Sequence, residues 1–347
     1  MTGLPEQAPM PEDPDLPAEN AACEILPPDS WPAEAGPPEA EQVPLPAGEA
    51  WLAQPGVEPL LSEPPPLFRS WSLPGPLPAE RIPHLGHLCM LGVLAMVALL
   101  GAGVLMGIAF HFHLYGVSTA QQAASDIHYT LGSMAALYLF TLLASLLVFP
   151  LFWHKSLFAG LQWNFATAMR LRVRLLLAAG GCFVLAMVDE LVLPGPTNAP
   201  IDKFFHTSLA AWLLFAFGVT FAPFFEETLF RGFLLPGLAT AWDWTTEKIT
   251  HTSPRPLSEN GHPQWSLTAM VIASVLTSIP FALVHAEQTA HAIGPFLLLV
   301  CVSLVLCWVR LSTRSLAASV LVHSSYNFLL FVLMLFGTGG FQHMDKM

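Results

Sequence analysis

One stretch of sequence decides how the whole chain is interpreted: Phe224-Phe225-Glu226-Glu227-Thr228-Leu229-Phe230-Arg231-Gly232. It continues an apolar run that begins at Ser208, and that run is long enough for a membrane helix, which needs about 20 residues. Two adjacent carboxylates and an arginine therefore lie where each charge costs about 2.5–3.5 kcal/mol on insertion scales. Charged residues in such places are rare and usually serve a site.

Helix geometry separates the two glutamates of this stretch. Glu227 and Arg231 are four residues apart, so they share a helix face, and the carboxylate is N-terminal, which is the better order for an ion pair. Glu226 is rotated by about 100° from Glu227 and has no such partner. The pattern predicts one neutralised glutamate and one that is available for chemistry.

Two other apolar stretches carry polar side chains at the same spacing. Phe281 and His285 share one helix face, and His323 and Asn327 share another. With the charged stretch, they would give a bundle of hydrophobic helices a polar centre. The candidate catalytic residues are Glu226, Glu227, Arg231, His285, His323 and Asn327.

The three motifs EExxxR, FxxxH and HxxxN, in this order on successive hydrophobic helices, resemble those of the CAAX protease and bacteriocin-processing (CPBP, or Abi) family of intramembrane endopeptidases, which includes the type II CAAX prenyl endopeptidases. The resemblance extends from about Phe165 to Gly337. It implies that Glu226 activates water as a general base, that His285 helps to hold this water, and that His323 and Asn327 stabilise the oxyanion. The implied substrate is a peptide or protein, lipidated or not, cleaved as a CAAX-type tail or as a leader or bacteriocin peptide.

The residues leave other interpretations open. Glu226, His285 and His323 could hold Zn²⁺, because zinc takes ligands from separate helices, although the compact zinc motif HExxH is absent. Without zinc we expect no cofactor. A non-catalytic membrane scaffold or immunity protein would not need the complete motif set, which this chain has. A transporter would use the acid and the histidines as a proton relay, but the duplicated motifs of an inverted repeat are missing.

Composition indicates a membrane protein. The 347-residue chain is 54% hydrophobic and 11% charged, against about 25% charged in ordinary globular proteins. The lipid bilayer is the expected environment, and nucleic acid is not an expected partner. About seven apolar runs predict an all-α polytopic bundle. The predicted spans are Leu88–Phe110, Leu131–Trp153, Leu175–Leu193, Ser208–Ala239, Leu267–His285, Ile293–Trp308 and Ser315–Phe336.

The N-terminal part has a different composition. Residues 1–86 contain 21 of the 32 prolines and 14 of the 25 acidic residues. Low hydrophobicity with many prolines and glutamates predicts a disordered tail. The predicted organisation is a disordered acidic, proline-rich tail over residues 1–86, N-terminal transmembrane helices over residues 87–160, and a CPBP-like protease core over residues 161–340.

Basic residues predict the orientation of the helices, because cytoplasmic loops are enriched in Lys and Arg. With the N-terminus inside, 11 of the 13 Lys and Arg residues fall on the inner side, and only Lys203 and Lys346 fall outside. We therefore expect a multi-pass protein of the cytoplasmic membrane with its N-terminus inside and its C-terminus outside.

The predicted spans place the candidate catalytic residues at different depths in the membrane. If the fourth helix ends soon after Arg231, Glu226 lies near its inner end, whereas His285 lies near the outer end of the fifth. The two meet at mid-depth only if the fourth helix continues to about Ala239 and the fifth is displaced toward His291 or bent at Pro280.

Overall fold

The computed structural model describes residues 81–193, 207–258 and 261–342. Regular structure in these ranges is helical, with no strand, which confirms the predicted all-α fold. Seven spanning segments are long and apolar enough to cross a membrane, as the sequence predicts. The helices are α1 (Leu85–His111), α2 (Ala120–Ser125), α3 (Ile127–Trp153), α4 (Leu157–Gly160), α5 (Phe165–Arg170), α6 (Arg172–Val192), α7 (Ser208–Val219), α8 (Phe221–Glu227), α9 (Leu235–Thr250), α10 (Leu267–Val284), α11 (Ile293–Thr313) and α12 (Leu316–Gly337).

Six of the predicted spans agree with α1, α3, α6, α10, α11 and α12 to within five residues at each end. The tail predicted over residues 1–86 lies outside the described residues up to position 80, and α1 begins inside that range, at Leu85. The N-cap of α1 is His84, whose side chain accepts from the backbone of Gly86. The helical part of the chain therefore begins slightly earlier than the composition indicates.

The fourth span differs most from its prediction. It runs from Ser208 to Thr250 rather than ending at Ala239, and it is not one regular helix. Thr220, with φ −116° and ψ −70°, separates α7 from α8. Pro223 follows in the first turn of α8, where its missing N–H is tolerated. The break leaves the last carbonyls of α7 without partners inside the helix.

A π-helical turn over Thr228–Leu234 joins α8 to α9. We call this segment the π turn. It contacts α1, α10, α11 and α12, so it lies at the centre of the bundle. π-Helical turns are rare and frequently occur at functional sites. The spacing of EExxxR predicts α-helical geometry through Arg231, but from Thr228 the chain follows the wider π-helical winding.

Packing inside the bundle leaves an apolar outer surface. Leu175 and Ala179 of α6 pack with Val302 of α11 and Val322 of α12 in the largest buried cluster. On the outside, leucines of α1 and α3 point away from the protein, such as Leu100, which is 72% exposed. Such a surface is stable in lipid and not in water, which agrees with a polytopic membrane protein.

One end of the bundle is strongly basic. There α1, α6, α10 and α12 begin and α3, α9 and α11 end, and we call it the Lys155 end after a lysine in the α3–α4 connection. Its loops hold most of the cations that the sequence analysis placed on the inner side. Two of those eleven cations are not loop residues, since Arg231 is 0% exposed and Arg310 is 2% exposed. They are buried inside the bundle and say nothing about orientation.

Candidate active site

Three side chains from three spanning segments converge on one point. Glu226, at the end of α8, has its Oε2 3.7 Å from Nε2 of His285, which caps the C-terminus of α10. The same oxygen lies 3.8 Å from Nε2 of His323, in the first half of α12. Both separations are too long for a direct hydrogen bond, so the carboxylate faces both rings without bonding to either. The break before α8 and the extended fourth span thus bring together residues that the predicted spans kept apart in depth.

Each histidine is oriented by its other ring nitrogen. Nδ1 of His285 lies 2.8 Å from the carbonyl oxygen of Phe281, one turn earlier, so this nitrogen carries the proton. Nδ1 of His323 lies 2.9 Å from Oε1 of Glu227. Nε2 of both rings is consequently directed toward Glu226, and in a neutral ring it presents a lone pair.

A buried network lies behind the triangle formed by the side chains of Glu226, His285 and His323. Arg231 donates from Nη1 to Oε1 of Glu227 at 2.9 Å, which is the ion pair predicted from the four-residue spacing. Its Nη2 donates to the carbonyl oxygen and the hydroxyl of Ser303, on α11, at 3.0 and 2.7 Å. Glu227 and Arg231 are fully buried, so each charge needs the other. Ser303 was missed by sequence reasoning because a lone serine in an apolar helix gives no signal.

Phe281, the first residue of FxxxH, connects the network to the histidines. Its ring is 4.5 Å from the guanidinium carbon of Arg231, a cation–π distance. The same ring has its centroid 5.0 Å from that of His285 and 5.9 Å from that of His323. The aromatic residue therefore faces a buried cation and supports both histidines, while its carbonyl fixes the tautomer of His285.

Asn327 reaches the site but also has a structural partner. Its Nδ2 donates to the carbonyl oxygen of Gly218 at 2.8 Å. That carbonyl belongs to the last turn of α7, where the break before α8 removes the intrahelical partner. One N–H of the amide thus holds the break, and only the second N–H is free for the oxyanion role that the resemblance implies.

A cavity of about 510 Å³ opens onto the triangle. Its walls are mainly apolar, with side chains from α3, α7 and α12, and the predicted residues Glu226, His285, His323 and Asn327 line its polar side. Tyr326 also lines it, as do Gln288 and Thr289 after α10. Tyr326 stands inside HxxxN and could have been noticed in the sequence, whereas the loop residues carry no such pattern.

The oxygen–nitrogen separations at Glu226 are longer than those between two ligands of one zinc ion. Two ligands of one tetrahedral zinc ion stand about 3.3 Å apart, as bond lengths of about 2.0 Å dictate. The two oxygen–nitrogen separations at Glu226 are 3.7 and 3.8 Å. Among the described residues no three His, Cys, Asp or Glu side chains are arranged to hold a metal ion.

A protein-family model, Rce1-like (type II CAAX prenyl endopeptidase Rce1-like), matches residues 208–329. No curated protein and no solved structure gives a significant match. The matched range begins at α7 and includes all three motifs and every residue of the triangle. A membrane protease of this kind implies a peptide or protein substrate and a lipid bilayer. The match confirms the resemblance read from EExxxR, FxxxH and HxxxN: this multi-pass membrane protein is similar to the type II CAAX prenyl endopeptidases, and the similarity supports a CAAX-type intramembrane protease.

Proposed function

We propose that this chain is an intramembrane endopeptidase in which Glu226 activates a water molecule without a metal cofactor. The observation that carries the proposal is the convergence of the Glu226 carboxylate and two histidine Nε2 atoms at the wall of a cavity. A water between Glu226 and His285 would be held by two acceptors, and its oxygen lone pairs would be left for a carbonyl carbon.

The reaction needs one proton carrier. Glu226 takes a proton from the water as its oxygen attacks the scissile carbonyl carbon, and a tetrahedral oxyanion forms. Glu226 then gives the proton to the leaving nitrogen as the C–N bond breaks. Within the described ranges Glu226 has no ion pair with a Lys or Arg, which suits this role, whereas Glu227 is paired with Arg231.

The oxyanion requires donors. Asn327 has one N–H beyond the bond to Gly218. His323 holds its Nδ1 proton against Glu227, so Nε2 can donate only when the ring is an imidazolium. We assign Asn327 and His323 to the oxyanion, and the free N–H of the Asn327 amide is a donor in either form of the histidine ring.

Zinc bound by Glu226, His285 and His323 is the competing mechanism. A histidine that binds zinc usually donates its other ring N–H to a carboxylate or carbonyl oxygen. His285 and His323 both have such a partner at Nδ1. The absence of the compact zinc motif HExxH favours water over the ion. Metal analysis of the purified protein separates the two mechanisms.

The shape of the cavity favours a substrate that is partly lipid. Side chains of α3 and α7 form much of its apolar wall, and its polar residues lie near Glu226. A prenylated cysteine could place its chain along the apolar walls and the following peptide bond at the carboxylate. We infer a prenylated CAAX-type tail as substrate, with an unlipidated leader or bacteriocin peptide as the alternative.

The test is cleavage by the purified full chain in proteoliposomes of two peptides that differ only in a prenyl group on the cysteine. We expect release of the residues after the cysteine from the prenylated peptide alone, measured by mass spectrometry. Cleavage of a leader peptide without lipid would replace the substrate and keep the mechanism.

Glu226→Gln is the matched control, since it preserves size and removes the base. It should abolish turnover of every substrate. If Glu226→Gln cleaves as well as the wild type, the mechanism proposed for Glu226 is wrong. If the wild type cleaves no peptide, a scaffold or immunity role gains support.

A further inference from the structure

The Lys155 end of the bundle has cations in large excess over carboxylates. In the ranges that the structure describes, seven Lys and Arg residues lie in or next to its loops, together with Arg81 and the buried Arg310. Asp243 and Glu247 are the two acidic residues described there. Both are occupied: Glu247 accepts from Arg81 at 2.9 Å, and Asp243 lies 3.8 Å from Arg255 and accepts from the backbone of Ser266.

Arg310 is the cation for which this matters most. It is 2% exposed, near the end of α11, and its three nitrogens donate to the carbonyl oxygens of Arg231 and Leu161 and to Oε1 of Gln162. These acceptors are neutral, and no carboxylate pairs with Arg310 among the described residues. A buried cation without an anion is expensive, since neutral dipoles compensate it only in part. Two of its five N–H groups also remain beyond these three bonds.

A second cavity, of about 150 Å³, opens beside this guanidinium. Arg310 and Arg314 line it, together with Gln162, Gln264 and Trp265. Arg314 is exposed and, in the described part of the chain, its side chain has no polar partner. It ends α11 in the left-handed conformation (φ 49°), which glycine or asparagine adopts at lower cost. The cavity is thus lined by one buried and one exposed arginine and by two amides.

Lys155 belongs to the same surface. A methyl group added to Gly261 would lie 3.1 Å from its Nζ, so the amine lies over the loop that leads into Pro263 and Gln264 of the cavity wall. His262, in that loop, has its pKa lowered by burial and then by Lys155, Arg310 and Arg314. The three cations therefore act on one small region, and each would be stabilised by an anion there.

We propose that this cavity, the Arg310 cavity, binds a phosphate group, supplied by the headgroup of an anionic phospholipid in the leaflet at the Lys155 end. Arginine pairs with phosphate through parallel N–H bonds, and basic pockets between spanning helices bind such headgroups. The cavity lies at the ends of the spanning helices α3 and α11, where we expect the lipid phosphates. The inference is independent of the proposed protease activity, and its test does not measure cleavage.

The test uses the purified full chain in detergent micelles, titrated with dioleoyl phosphatidylglycerol or dioleoyl phosphatidylcholine and analysed by native mass spectrometry. We expect one phosphatidylglycerol to be retained in preference to phosphatidylcholine. Lys155→Gln/Arg314→Gln should weaken this binding about 30-fold, from the loss of two membrane-surface cations. Both residues are exposed, so this variant should fold, whereas Arg310→Gln would disturb the interior.

Arg172→Gln/Arg174→Gln is the matched control, because it removes two exposed cations from the same end of the bundle, at the start of α6, outside the cavity. It should bind phosphatidylglycerol as the wild type does. Equal weakening in the two double variants would overturn the proposal in favour of diffuse surface charge.

Two further experiments test where the anion comes from: competition by inorganic phosphate and substitution of a carboxylate of the chain itself. Competition by inorganic phosphate, lost in Lys155→Gln/Arg314→Gln, without a preference between the two lipids would support the phosphate site and assign it a soluble ligand. Glu259, close in sequence to Gly261, lies outside the described residues. If Glu259→Gln strengthens phosphatidylglycerol binding tenfold or more, the chain supplies its own anion and the proposal fails. Absence of binding by either probe would also overturn it.

Discussion

His323 and Arg231 share one oxygen atom of Glu227. Oε1 of this carboxylate lies 2.9 Å from Nδ1 of His323 and accepts at 2.9 Å from Nη1 of Arg231. The second glutamate of EExxxR therefore has two tasks. It neutralises a buried cation in its own segment, and it orients a histidine of α12 whose other nitrogen faces Glu226.

The two glutamates should respond differently to the same substitution. Glu227→Gln leaves Arg231 without its counter-ion in the bundle, a loss of about 3–5 kcal/mol. We expect a lower melting temperature in detergent and a lower yield together with lost activity. Glu226→Gln, at the cavity, should melt close to the wild type and be inactive. Thermal melting and specific activity, measured on both variants, test the distinction.

A double variant refines this test. Replacing both Glu227 and Arg231 with glutamine removes the unpaired charge, so part of the stability should return. Activity should not return, because Nδ1 of His323 has lost the carboxylate that orients it. If Glu227→Gln melts normally and is inactive while Glu226→Gln still cleaves, the two roles have been assigned backwards.

Phe281 should matter for both stability and activity. Phe281→Leu removes the ring that faces Arg231 and supports both histidines, with an expected destabilisation of about 1–3 kcal/mol. Phe230→Leu is the control: its ring is also buried, 5.9 Å from the Arg231 guanidinium, but packs on Phe281 rather than on a histidine. We expect similar melting for both variants and a larger loss of kcat for Phe281→Leu. Equal kcat values would show that the ring only fills space.

The proposed mechanism also makes a prediction about metal. Activity should persist in phenanthroline, and elemental analysis of the purified protein should find no stoichiometric zinc. The physical reason is that Glu226 removes the proton itself and needs no Lewis acid to acidify the water. Reversible inactivation by the chelator, restored by Zn²⁺, would establish the zinc mechanism with Glu226, His285 and His323 as ligands.

The sequence predicts the residues of the site better than the backbone that positions them. Four-residue spacing is a local property of helices, so the Glu227–Arg231 pair and the Phe281–His285 contact could be predicted. The break at Thr220 and the π turn depend on packing against other helices. The spacing of residues along one helix carries no information about such packing. The same limit applies to Arg310, counted from sequence as an inner loop charge but buried in the bundle.

Orientation in the membrane remains a prediction, now based on fewer charges. Of the eleven cations assigned to the inner side, nine remain once Arg231 and Arg310 are recognised as buried. Nine against Lys203 and Lys346 still predicts that the Lys155 end is cytoplasmic. Reporter fusions after Met347 and within residues 1–80 should report outside and inside, respectively. Both ends on the same side would contradict seven crossings.

The boundary of the N-terminal tail can be tested at a single residue, Arg81. Its Nη2 donates to Oε1 of Glu247 at 2.9 Å and to the carbonyl oxygen of Arg255 at 3.1 Å, so it ties the chain before α1 to the end of α9. A protein beginning at Arg81 should therefore insert, melt like the full chain and keep its activity, because the composition of residues 1–80 predicts disorder. Arg81→Gln in this shortened protein should lower the stability by about 1 kcal/mol, since a partly buried ion pair and a hydrogen bond are lost. Detergent melting and specific activity are measured for both proteins. A shortened protein that folds but does not cleave would show that residues 1–80 capture the substrate or complete the enzyme.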